Sequence, residues 1–108
     1  MQMKLSHIAL LAGLVGVVAA PAAFADELAL ATKAGCTACH AVDKKLVGPA
    51  YQDVAKKYKG QADVSAKLIE KVRKGGSGVY GPIPMPANDT AKISDADLKA
   101  VIAWILKL

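Results

Sequence analysis

Cys36-Thr37-Ala38-Cys39-His40 sets two thiols three residues apart, with an imidazole directly behind the second. On a short helical turn, side chains at i and i+3 share one face, so both sulfurs reach the same edge of a flat partner. That spacing suits thioether bonds to the two vinyl groups of a porphyrin. His40 is then carried beneath the ring, where a neutral imidazole nitrogen binds iron axially. The expected cofactor is one covalently bound haem per chain. A Cys-x-x-Cys pair also serves as a redox dithiol, but that use goes with a βαβ setting, and no strand-like runs flank these cysteines. A closed zinc shell takes four ligands, one more than two thiols and the single imidazole left once His7 departs with the leader described below.

Haem held by one histidine leaves the sixth iron position open to choice, and its occupant separates electron transfer from ligand or oxygen chemistry. Beyond residue 25 the chain has one histidine, His40, and one methionine, Met85. Met85 lies off any helical stripe, in Pro82-Ile83-Pro84-Met85-Pro86. The prolines hold their own φ near about −65°, and Pro86 presses Met85 toward an extended conformation. Methionine is usually core filler, and that remains the alternative. A stiff strap, however, suits a thioether that stays on iron in both oxidation states. Lysine amines are protonated at neutral pH and do not compete. Ligation by His40 and Met85 leaves no open site, which argues against oxygen binding or peroxidase activity, and so against an enzyme.

The elements that must position these groups read as helices throughout. Residues 26–34 form a short helix with acids in its first turn, stopped by Gly35. Residues 41–48 are a loop. Pro49 suits a first helical position, and Tyr51, Val54, Ala55 and Tyr58 follow on one face until Gly60. Asp63 or Ser65 caps a third helix with Leu68, Ile69 and Val72 as its apolar stripe, ended by Gly75-Gly76. Residues 75–93 have no period and form a shaped loop. Ser94 and Asp97 resemble a capping box that opens a last helix, with Leu98, Val101, Ile102 and Ile105 on one face. The expected class is all-α, four to five short helices around one haem, with no strand and no repeat.

Residues 1–25 read as a secretory leader. Lys4 and the amino terminus make a weakly positive start, the apolar run from Ile8 to Ala20 is 13 residues long, and Ala23-Phe24-Ala25 has the small-x-small form of a cleavage site. A bilayer span needs about 20 residues, so an uncleaved membrane anchor is the weaker alternative. Cleavage after Ala25 leaves residues 26–108, one domain of 83 residues. Such a domain has a small core and often depends on a cofactor for stability. Loss of Lys4 leaves thirteen basic and nine acidic side chains, a net charge of +4 before any haem propionate is counted. Export points to the periplasm, where the cysteines serve haem although such compartments favour disulfides.

With Cys36-x-x-Cys39-His40, Val47-Gly48-Pro49-Ala50-Tyr51 and Gly81-Pro82-Ile83-Pro84-Met85-Pro86, residues 26–108 resemble the short bacterial class I cytochromes c of the c-551 type. The resemblance implies a monomeric periplasmic carrier of single electrons. Its partners would be a membrane-linked donor and a reductase or terminal oxidase, nitrite reductase among them, with no nucleic acid and no stable membrane insertion. It further implies that the Pro49 carbonyl accepts a hydrogen bond from the His40 ring, and that the Asn88 amide donates toward the Met85 sulfur, a plain turn-forming role being the alternative for Asn88. Tyr80 stands where close relatives carry a tryptophan bonded to a haem propionate, and its hydroxyl offers a donor of different reach. Trp104 matches a core aromatic of the last helix. Lys71 and Arg73 fall near the expected propionate region, either as contacts or as solvated charge. Rival functions are a haem enzyme or gas sensor with a displaceable Met85, and a haem-free dithiol oxidoreductase.

Overall fold

In the computed structural model, residues 22–108 are described, together with Gly13 and Gly16. The expected leader therefore lies for the most part outside the described residues. Four α-helices and one short 3-10 turn follow in order: α1 (Ala22–Lys33), the turn Cys36–Ala38, α2 (Tyr51–Tyr58), α3 (Val64–Lys74) and α4 (Asp95–Ile105). Among the described residues there is no named strand, only two isolated bridges, His40 with Lys45 and Gly76 with Met85. No helix among them is long and apolar enough to cross a membrane.

α4 is the hub against which α1, α2 and α3 all pack. The spacing of its apolar residues explains this: Leu98, Val101, Ile102 and Ile105 recur at intervals of three and four, and all are buried along with Trp104. Burying each such side chain is worth roughly 1.5–3 kcal/mol. Ala31 of α1, Tyr51 of α2 and Ile93 complete the buried cluster, and Leu68, Ile69 and Val72 of α3 pack onto it. Ser94 caps α4, its hydroxyl oxygen accepting from the Asp97 N–H at 3.2 Å.

Three boundaries differ from expectation. α1 begins at Ala22, four residues before the expected start, because alanine and phenylalanine at 22–25 continue the helix; Asp26 and Glu27 consequently fall outside its first turn. Pro49 does not open α2. The N-cap is Ala50, in an extended conformation, and its carbonyl takes the first helical bonds from Asp53 and Val54. The first N–H groups of α2 go instead to the preceding loop, Tyr51 to Ala41 at 2.9 Å and Gln52 to Val42 at 3.0 Å. Pro49 is thereby left outside the helix with its carbonyl free for another donor. Asp63 occupies the N-cap position of α3 but its side chain makes no capping bond, since its backbone is left-handed, at φ +61°.

Candidate haem site

Gly35, at φ +86°, turns the chain sharply out of α1 into the 3-10 turn that carries Cys36. The Cys36 carbonyl accepts from both Cys39 N–H at 3.2 Å and His40 N–H at 3.0 Å, which locks the two cysteines and the histidine into one tight turn. Both thiols are free and half-buried. Burial pushes the Cys36 thiol above its ordinary range, with the nearby Cys39 adding to the rise.

The loop after His40 folds back on it. Gly48 N–H donates to the Cys39 carbonyl at 2.7 Å, and His40 Nδ1 lies 2.8 Å from the Pro49 carbonyl oxygen. A carbonyl only accepts, so Nδ1 carries the proton and Nε2 keeps the lone pair. Tyr51 stacks on the imidazole, with ring centroids 5.2 Å apart and planes 17° from parallel. Trp104 meets Tyr51 edge-on at 5.7 Å, joining the histidine to the core of α4. The loop thus orients His40 through the Pro49 carbonyl, and α2 through Tyr51; the sequence pointed to the first of these and not to the second.

Met85 sits in the loop between α3 and α4. Its backbone exchanges both hydrogen bonds with Gly76, at 2.8 and 3.0 Å, so the proline strap is also clamped from the side. Asn88 is buried, and its amide donates to the Pro86 carbonyl at 3.0 Å and the Val72 carbonyl at 3.3 Å. Through these two bonds Asn88 ties the strap to α3. Arg73 donates to the Ile93 and Asn88 carbonyls and to Asp95.

Between these two halves lies a cavity of about 630 Å³. Cys36, Cys39, His40 and Met85 all line it, and Leu68, Val101 and Ile102 give it apolar walls. Its size falls within the roughly 300–1,000 Å³ of cofactor sites, and its lining includes two thiols, one imidazole and one thioether, a set that suits a covalently held haem. The residues fit that group. Gly48 borders it as well: a Cβ there would lie 2.6 Å from His40 Cε1 and 2.9 Å from Nδ1. Lys67 and Lys71 line the cavity, and among the lysines at 44, 45, 56, 57 and 59 only Lys45 does. Tyr80 lies on the rim, 43% exposed, with Lys57 Nζ 5.6 Å from its ring centroid. Partial burial, helped by Tyr58 and Asp53, pushes its phenol up to about 12.

Comparison with known proteins agrees with this arrangement. The cytochrome c family profile matches residues 28–108. Cytochrome c2 of Rubrivivax gelatinosus is 59% identical over 78 residues, covering 72% of this chain and 92% of that protein. Cytochrome c-551 of Pseudomonas aeruginosa is 45% identical over 92 residues, 84% of this chain and 86% of its own length. The crystal structure of Nitrosomonas europaea cytochrome c552 superposes with a TM-score of 0.69 at 49% identity, covering 74% of this chain and 96% of that one. Motif, cavity and likeness agree: the chain belongs to the cytochrome c family, all-α class I proteins that bind haem c covalently through cysteine.

Proposed function

We propose that this protein is a single-haem electron carrier of the periplasm, freed of residues 1–25 on export and not an enzyme. The observation that carries the reading is the convergence of Cys36, Cys39, His40 and Met85 on one cavity. Cys36 and Cys39 would hold the haem by thioethers, and His40 and Met85 would ligate its iron. When bound, the haem supplies a one-electron iron couple.

The chain's own residues act on that couple by restraint. The Pro49 carbonyl holds the His40 tautomer, so Nε2 presents its lone pair without a competing proton. The Gly76 pairing and the flanking prolines hold the Met85 backbone in place, which favours small movement when the charge on iron changes. Apolar walls from α3 and α4 would keep water from the bound group. Tyr80 offers a hydroxyl at the rim. The expected partners are a membrane-linked donor and a periplasmic reductase or terminal oxidase, nitrite reductase being one acceptor.

The absorption spectrum and intact mass of the protein purified from its exporting host test this. The expected result is low-spin haem with histidine and thioether ligands, on a chain that begins at Asp26. A high-spin spectrum would favour the open-site enzyme or sensor, and absence of haem the dithiol reading.

A further inference from the structure

The end of α3 and the two glycines that follow it touch the Met85 segment at several points. Gly76 pairs with Met85 itself, as above. At Gly75, φ is +71°, and a Cβ would run into the Met85 carbonyl oxygen and lie 2.8 Å from both Ala87 N and Pro86 C. Only glycine lets the two backbones nest this closely. Val72 receives the Asn88 backbone N–H at 3.1 Å.

Arg73 makes the remaining tie. Its side chain is only 19% exposed and donates to the Ile93 carbonyl at 2.8 Å and the Asn88 carbonyl at 3.4 Å, while its second nitrogen meets Asp95 Oδ1 at 2.5 Å. A guanidinium suits this role because its planar fork serves several acceptors from one permanently charged group. Asp95 is 84% exposed, so the ion pair itself contributes little, and the two carbonyl bonds carry the tie. Arg73 does not line the cofactor cavity. Whatever it does there, it does through the backbone of residues 88–95.

We infer that Arg73 is a positioning residue for the Met85 thioether: it pins the limb that returns from Met85 onto α3, and thereby sets how readily the thioether is displaced from iron. The inference rests on Met85 being the axial ligand. Without Arg73, the strap keeps its prolines and its Gly76 pairing but loses the anchor beyond Asn88. Met85 then swings away from the cavity more often, and a competing ligand enters sooner.

The test is stopped-flow mixing of the ferric holoprotein with imidazole, which binds iron only after the sixth ligand leaves. Wild type is expected to react slowly and Met85→Ala fast. Arg73→Met should accelerate the reaction by about tenfold or more, because two hydrogen bonds from a charged donor are lost. Arg73→Lys keeps the charge without the fork and should fall between. If Arg73→Met yields no holoprotein, Arg73→Lys carries the comparison alone. Equal rates in wild type and Met85→Ala would refute Met85 as ligand. A fast Met85→Ala with both Arg73 variants at the wild-type rate would overturn the inference about Arg73 and leave the Met85 assignment standing.

Discussion

Gly48 lies against the face of the His40 ring: a Cβ at Gly48 would be 2.6 Å from Cε1, 2.9 Å from Nδ1 and 3.1 Å from Nε2. An approach in the ring plane would leave the two nitrogens much farther away than the carbon between them, so the contact is over the face. Gly48→Ala must therefore displace the imidazole or the loop. The ring is already held by Pro49 and Tyr51, and the expected cost is about 1–3 kcal/mol of stability, the usual range for overpacking. A shift in reduction potential should accompany it. Thermal unfolding and a redox titration check both; wild-type values in each would show that the ring gives way freely.

Cys36→Ala combined with Cys39→Ala should abolish cooperative folding along with haem attachment. Leu98, Val101, Ile102 and Ile105 belong to the buried core and also line the cavity, so the core is built around the cofactor's space. Left unfilled, that space costs its lining the contacts that stabilise α4. Far-ultraviolet circular dichroism across a thermal ramp would show a broad, weak transition. A sharp native-like melt without haem would count against it.

Electron transfer to an acidic partner should slow as salt is added. Lys45, Lys67 and Lys71 line the cavity and Lys57 lies beside Tyr80 on its rim, so positive charge surrounds the site. Such charge steers encounter chiefly through the association rate, over a Debye length that shrinks from about 30 Å at 0.01 M to about 10 Å at 0.1 M. Bimolecular rates across that range should fall steadily, and Lys67→Gln with Lys71→Gln should flatten the slope. A salt-independent rate would leave these lysines as solvated surface and place recognition on the apolar rim.

Tyr80 should titrate above an ordinary tyrosine. Its phenol is raised from 10 to about 12 in the fold, mainly by burial and next by Tyr58 and Asp53. The protonated, neutral form is the one the fold prefers. Stability from this group is therefore full below pH 10 and is lost as pH rises through about 12. Ultraviolet difference titration of wild type against Tyr80→Phe isolates the step, and Tyr58→Phe should lower it. A Tyr80 step at pH 10 in the wild type would contradict the burial.

Residue type and spacing alone determined the chemistry open to this chain and the nature of its helices. Two thiols and an imidazole within five residues are a local arrangement, set by one helical turn, and the apolar stripe of α4 is equally local, a matter of which residues recur every three or four. Ser94 as a cap and Gly35 and Gly75 as stops depend on their own backbones and immediate neighbours, and so were legible too.

Tertiary structure decided the rest, because it turned on segments distant in sequence. Whether Pro49 opened α2 depended on Ala41 and Val42 capping that helix and on His40 claiming the proline carbonyl. The Asn88 amide had two acceptors within reach only once α3 lay beside the strap, and Arg73 found Ile93, 20 residues away, for the same reason. Tyr51 read as one apolar position among several, yet packing made it the ring that stacks on His40. Most of all, His40 and Met85 are 45 positions apart and face one cavity only because α4 gathers the other helices around it. A backbone closes over such a separation through packing, and no periodicity in the chain encodes where the two ends will meet.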